Sequence, residues 1–460
     1  MAGLRSPGLL ESYHLVRHGL GIDTCILSAA KYVHPDPDRY SLSQQLLFPA
    51  LRSIIPQHPI LCVRASDERV SPIHFIRLDT IDLSEIVRYV DQSFQHLEEV
   101  IEFELAKPFD TTRDVPLWRI TVLNDNTIIF AYHHGIGDGM SSLAFHRTLL
   151  RALRAQNQTL DSFIQKVFVP KDITLVGASD QLTDVSPSWA EVIRAVLGLF
   201  IPPSWTSAAK SWTANDVPAQ IPPLQAHARI IQVAARDAQR LLEVCRTHNA
   251  TITSALHSLM ISSLSNILQN SSYLPLITNK STLSSSIPVS LRFQTGVSKD
   301  AVCNHPSMIF VTSPIQPQFS WSDASALATT LRTESRTCKS QLGLLRLLFG
   351  DYAGFFKGKL GKKRQATFEL SNIGRFELDD HDNDNEQRGP SWEIQDLVFA
   401  QCDVVVSAAI KVNVASAPSG NMAICVTWGD CAVDSQLVDM FIEKLKHQIS
   451  DLVEGSVPEY

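Results

Sequence analysis

Two adjacent histidines head the run Tyr132-His133-His134-Gly135-Ile136-Gly137-Asp138-Gly139-Met140-Ser141. An imidazole titrates near neutral pH, so it can take a proton from a hydroxyl or amine and hand it on. Asp138 can be held inward to pair with a distant cation and lock the segment. The run therefore reads as a chemical histidine beside an architectural aspartate. Metal binding is a competing chemistry, since His and Asp are both ligands, but it needs a further His, Cys or carboxylate at ligand spacing and none stands nearby. The blander alternative is a pair of histidines satisfied at a strand end. The Asp138-Gly139 pair beside them weighs against it.

These residues need elements to hold them. Trp118 to Leu123 and Thr127 to Tyr132 are β-rich runs separated by Asn124-Asp125-Asn126, whose side chains tolerate a tight turn, so they predict a hairpin. Its second strand runs into Gly135, Gly137 and Gly139, which oppose both helix and strand. Ser141 or Ser142 can then cap a helix carrying Leu143, Phe145, Leu149, Leu150 and Leu153. The unit is strand, glycine-rich turn, helix. Upstream, Ser43 to Ile55 has helical spacing, Gln57-His58-Pro59 breaks it, and Ile60 to Val63 reads as a strand.

Beyond Pro170 the chain is rich in Ser, Pro and isolated Trp as far as Pro223, which predicts a crossover between two halves. The second half opens with a strand at Ala228 to Val233 and a helix at Arg236 to His248, followed by a helix over Ala255 to Leu268. Strand-like runs follow at Ser307 to Val311, Gln365 to Ile373, Val404 to Val414 and Asn421 to Trp428. An amphipathic helix closes the chain over Leu437 to Leu452, and the acidic stretch Glu377 to Arg388 reads as a solvated loop. Strands and helices mix without the regular alternation of a doubly wound sheet.

The chain has 460 residues, 44% hydrophobic and 19% charged, enough for a sizeable core. Its 40 Lys and Arg against 47 Asp and Glu give a formal charge of -7, which disfavours nucleic acid. Eight cysteines without a Cys-x-x-Cys pair suggest reduced thiols in a cytoplasmic protein. Met1 to Tyr13 does not resemble a signal peptide, and no uncharged stretch approaches the roughly 20 residues of a membrane span. Val192 to Ile201 comes nearest to a membrane element and reads as a short buried helix or linker. Phosphate-loop, nucleophile-elbow and dinucleotide-turn motifs are missing, which removes support for kinase, hydrolase and dehydrogenase readings.

The block His133-His134-x-x-x-Asp138-Gly139 resembles the signature of the superfamily containing nonribosomal-peptide condensation domains, plant BAHD acyltransferases and chloramphenicol acetyltransferase. Glu11, Arg17-His18-x-Leu20-Gly21, Pro116-Leu117-Trp118-Arg119, Pro288-Val289-Ser290-Leu291-Arg292 and Ser371-Asn372-Ile373-Gly374 narrow the resemblance to fungal alcohol acetyltransferases. It implies an α/β (α+β) fold of two chloramphenicol-acetyltransferase-like lobes, each a mixed β-sheet with flanking helices, meeting at a tunnel. The lobes are expected at 1–175 and 226–460, with 176–225 as crossover linker. By the same resemblance His134 is the catalytic base, with Asp138 beside it, and His133 and Gly139 support them. Arg292 is the partner of Asp138. Asn372 either lines the tunnel or helps to hold the oxyanion, or it closes a turn before Gly374. The Asp-Phe-Gly-Trp-Gly block of plant BAHD enzymes is absent, with Thr427-Trp428-Gly429 only a loose echo.

A basic cluster, Lys357, Lys359, Lys362, Lys363 and Arg364, could meet coenzyme A phosphates, or be a solvated face. The expected activity is transfer of an acyl group, acetyl foremost, from acyl-CoA to a small, largely apolar alcohol, by a monomer with no metal and no permanently bound cofactor. The rival readings are a free-standing condensation domain fed by a carrier protein, which normally neighbours a Gly-Gly-x-Ser site missing here, and a non-catalytic protein of the same fold.

Overall fold

The computed structural model describes residues 4–37, 39–155, 165–198, 207–378 and 391–455. The expected hairpin forms at Trp118–Leu123 and Thr127–Tyr132, and Asn126 takes the left-handed conformation (φ 63°) that closes its turn. This hairpin supplies two strands of a five-stranded sheet ordered Glu393–Gln401, Ile26–Val33, Thr127–Tyr132, Trp118–Leu123, Val87–Val90. All pairings are antiparallel except the last. Tyr132 lies opposite Ile26 on one side and Trp118 on the other, so the strand end that launches the histidines is flanked on both sides.

The second sheet is mixed. It is ordered Ala226–Val233, Met422–Gly429, Ile410–Ser416, Phe368–Arg375, Thr282–Ser290, Pro306–Pro314, with Ser211–Trp212 pairing Thr282–Ser290 at one end. The helices Ala235–Thr247, Ile252–Leu268 and Ser435–Glu454 bury their apolar faces in one core with this sheet. Glu393–Gln401 ties the two sheets together. It pairs with Ile26–Val33 of the first, while the Gln401 amide donates to Glu369 and Asn413 of the second and the Gln401 carbonyl accepts from Thr427. The architecture is thus the two-lobed mixed α/β fold with flanking helices.

Several expected elements change. Ile60 to Val63 is mostly a 3-10 turn, Pro59–Cys62, followed by a short strand Val63–Ala65; Pro59 presets the turn and Trp118 Nε1 draws off the Leu61 carbonyl at 2.9 Å. The strand expected from Val404 begins only at Ile410, because Ser407 turns back onto the Val404 carbonyl and Arg364 takes that of Val405. The helix after the glycine turn starts at Gly139 and not after Ser141 or Ser142, since Asp138 caps it through the Ser141 N–H at 3.0 Å. The segment read as buried from Val192 is a helix, Trp189–Gly198, with no buried residue; Trp189 is 82% and Leu197 56% exposed. Residues 199–201 of that stretch, and most of the expected solvated loop (379–388), lie outside the described residues. Among the described residues no helix is long and apolar enough to cross a membrane.

Candidate active site

The strand Thr127–Tyr132 delivers His133 and His134 into a tight turn whose carbonyls and amides settle both rings. His134 Nδ1 lies 3.0 Å from the Gly137 carbonyl, which can only accept, so the ring proton sits on Nδ1 and Nε2 keeps its lone pair. His134 is half-buried and lines a cavity of about 340 Å3. Desolvation, reinforced by the nearby Arg17 cation, lowers its pKa to about 4, so the ring is neutral at pH 7.

Asp138 points away from that chemistry. Arg292 Nη2 donates to its Oδ1 at 2.7 Å, and the backbone N–H groups of Ser141 and His305 donate to Oδ1 and Oδ2, each at 3.0 Å. Burial alone would raise the carboxyl's pKa, but Arg292 outweighs it and holds the group ionised. Arg292 also donates to the Ala301 and Cys303 carbonyls, and the Asp138 N–H donates to Cys303, so the pair fastens the turn to the segment leading into Pro306–Pro314. Asn304 completes the fastening by donating to the His134 carbonyl at 2.7 Å.

His133 faces the opposite way and meets Glu68, which the sequence reading did not single out. The Gly135 N–H donates to His133 Nδ1 at 2.8 Å, so its proton sits on Nε2, 2.9 Å from Glu68 Oε1. That approach is too oblique for a well-directed hydrogen bond but close enough for charge–dipole attraction. His18 mirrors it: the Phe109 N–H donates to Nε2, and Nδ1 lies 2.6 Å from Glu68 Oε2. Burial would raise the Glu68 pKa, but His133 and His18 together lower it to about 2. His18, Glu68 and His133 are also the three-ligand cluster that the sequence lacked, with their ligand atoms within 4.8 Å of one another. A cation there would have to displace the protons that two backbone N–H donors direct toward Glu68, so the set is built to hold protons.

The cavity wall mixes chemistries. Leu10, Met308, Leu342 and Leu345 make one apolar part, while Arg17, Lys359, Glu369 and Lys411 bring charge. Arg17 is paired with Asp23 at 2.6 Å and Lys411 with Glu369 at 3.3 Å. Lys359 lies over the Phe355 ring, and burial followed by the Arg17 cation lowers its pKa to about 8. Sequence reasoning also missed His14, whose ring stacks on His134 with centroids 3.7 Å apart and planes 16° from parallel. The signal was available: Glu11, His14 and Arg17 recur every three residues on the helix Leu9–Gly19.

The remaining expected site residues scatter. Gly139 lines the cavity, and a Cβ there would sit 2.6 Å from Ile373 Cγ2. Asn372 is off the wall; its Oδ1 accepts from the Gly374 N–H at 2.9 Å and its amide donates to Thr253, so it closes the turn in which Gly374 has φ 81°. Lys357 and Lys362 are exposed. Lys363 donates to the Ala208 and Ser211 carbonyls, and buried Arg364 donates to Val405 and Cys431, so these two cations brace backbone and do not line the cavity of His134. The cysteines are all free, and only Cys431 is exposed.

The fold recurs in solved structures. The trichothecene 15-O-acetyltransferase of Fusarium sporotrichioides superimposes with TM-score 0.65 at 12% identity, over 98% of this chain and 95% of that one. The condensation domain of the monacolin K polyketide synthase gives TM-score 0.61 at 12% identity, over 99% and 98%. In sequence, a probable alcohol acetyltransferase of Aspergillus fumigatus is 23% identical over 96% of this chain and 98% of its own length. The profile of the alcohol acetyltransferase family matches residues 6–300 and 337–449, which is most of the chain. With the histidine block, its cavity and this match in agreement, the chain belongs to the alcohol acetyltransferase family and is an acyltransferase.

Proposed function

We propose that the protein transfers an acyl group, acetyl foremost, from acyl-CoA to the hydroxyl of a small, largely apolar alcohol, with His134 as general base. The observation that carries this reading is the Nδ1 contact to the Gly137 carbonyl, which leaves His134 Nε2 basic on the cavity wall. The acceptor hydroxyl gives its proton to Nε2 as its oxygen bonds to the thioester carbon, and the carbonyl π pair moves to oxygen. Collapse restores the C=O bond and breaks the C–S bond, and the thiolate takes the proton from His134. No covalent enzyme intermediate is needed.

In this reading residues 1–175 and 226–460 form the two lobes, joined by 176–225, with Glu393–Gln401 lent to the first sheet. Lys357 and Lys362, exposed on either side of Lys359 in the sequence, would meet the coenzyme A phosphates, while Lys363 and Arg364 brace the backbone at Ser211 and Val405. Incubating the pure protein with acetyl-CoA and a panel of alcohols, with free thiol and ester both measured, tests the proposal. Thiol release matched by ester formation supports it. Thiol release without ester, or no release with any alcohol, rejects it.

A further inference from the structure

His14 stands against His134 in the same cavity, and no step above uses it. Its Nδ1 is sealed from solvent and finds no hydrogen-bond partner. Since the residue keeps 5% exposure and lines the cavity, Nε2 is left as the nitrogen able to meet a substrate. A neutral imidazole has one N–H and one lone pair, and buried N–H groups without a partner are rarer than buried acceptors without one. The proton therefore belongs on Nε2, on the open side of the ring. The ring also stays neutral: burial foremost, then His134, Arg17, His133 and Lys411, all oppose a positive charge there. A neutral imidazole in such a place polarises a carbonyl without giving up its proton.

We propose that His14 is a second catalytic residue of this site, its Nε2–H donating a hydrogen bond to the thioester carbonyl oxygen as that oxygen becomes negative. The inference rests on the reading of His134 as base. The two rings line one cavity and stack with centroids 3.7 Å apart, and the proposal gives His134 the attacking hydroxyl and His14 the oxygen on the same carbon. When the tetrahedral species forms, the carbonyl π pair goes to oxygen and the His14 proton stays on nitrogen. When it collapses, the pair returns and the C–S pair leaves with sulfur. His14 thus ends the cycle unchanged.

The test compares His14→Phe, which keeps a ring on His134 but has no donor, with His14→Gln, which keeps a donor, measuring kcat, KM and the pH–rate profile of each folded variant. Loss of one oxyanion donor typically lowers kcat by about 100-fold or more, so His14→Phe should fall by that much with KM for acyl-CoA within about threefold. The acidic limb should persist, and His14→Gln should regain about tenfold or more. Equal loss in both variants assigns a structural role to His14 and overturns the proposal. His14→Phe at near wild-type kcat, while His134→Ala is inactive, rejects His14 and leaves the base intact. Disappearance of the acidic limb in His14→Phe makes His14 the base and overturns both readings. Should His14→Phe not fold, the infrared carbonyl stretch of acetyl-CoA bound to His134→Ala, with and without His14→Gln or His14→Leu, decides. A stretch lowered by His14 and not by Leu supports the donor, and an unchanged stretch rejects it.

Discussion

Replacing Asp138 by Ala tests the fastening of the catalytic turn. The change removes the carboxylate that Arg292 meets at 2.7 Å and the Ser141 and His305 N–H groups meet at 3.0 Å, leaving a buried cation without its counter-charge and the His305 N–H without its acceptor, while the Ser141 N–H keeps the Asp138 carbonyl. Breaking a buried ion pair from one side costs about 3–5 kcal/mol. At about 2.1 cal/mol/K per residue, cooperative unfolding of all 460 residues carries an entropy of about 1 kcal/mol/K, so Tm should drop by about 3–5 °C. Arg292→Ala leaves the carboxylate with its two backbone donors and should cost less. The double variant should lose less than the sum of the singles by about 1 kcal/mol or more. The folded carboxyl lies below its unfolded value near 4, so its stabilisation is complete above that pH and is lost as pH falls through the folded value. Differential scanning calorimetry of the four proteins at pH 7 and in acid measures these quantities. Additive single costs, or a wild-type advantage over Asp138→Ala that does not shrink in acid, would refute the reasoning.

His134→Ala should lower kcat by about 100-fold or more, as loss of a general base does, yet leave Tm close to wild type; a thiol-release assay beside a melting curve checks both. Because the His134 pKa is lowered to about 4, the base stays neutral through pH 5–7, and kcat/KM of the wild type should fall only as pH drops through about 4. An acidic limb near 6.5 contradicts the desolvated ring. Glu68→Gln places an amide NH2 against one of two imidazole N–H donors and should destabilise by about 1–3 kcal/mol at pH 7, read by urea unfolding. The Glu68 carboxyl is held at about 2, so that difference should vanish as pH falls from above 4.5 toward 2.

What the sequence displayed was local. The hairpin at Trp118–Leu123 and Thr127–Tyr132 was legible because apolar runs flank Asn124-Asp125-Asn126, and the helix Ile252–Leu268 because its apolar pairs return every four residues. Asp138 was legible as a carboxylate needing a cation, the family resemblance pointed to Arg292, and its guanidinium does reach Asp138. Glu68 was not, because it lies 50 residues from His18 in an unremarkable Asp67-Glu68-Arg69 stretch, and only the fold sets it between two imidazoles. The strand Glu393–Gln401 escaped for the same reason: its Gln and Asp residues read as surface, yet Gln401 is buried where the sheets meet. Lys363 and Arg364 were legible only as charge, because the backbone carbonyls that each of them meets lie far away in sequence.

The glycines of the turn show how a motif can be recognised for a reason other than its physical one. Gly135, Gly137 and Gly139 suggest a backbone needing left-handed torsions, but none of the three has positive φ. What all three supply is the missing Cβ, which at Gly137 would stand 2.8 Å from the Tyr132 ring. At Gly135 a Cβ would stand 2.9 Å from Leu15, the residue after His14, so its absence lets the helix Leu9–Gly19 close onto the turn and lay His14 on His134. At Gly139 a Cβ would stand 2.6 Å from Ile373 and 3.1 Å from Phe399, so its absence admits the strands Phe368–Arg375 and Glu393–Gln401 that carry the cavity residues Glu369 and Gln401. Rigidity then comes from contacts on both sides, with Asp138 and Arg292 fixing the turn between them. Glycine spacing in this block therefore encodes the approach of the cavity walls, and the imidazole geometry follows from that approach.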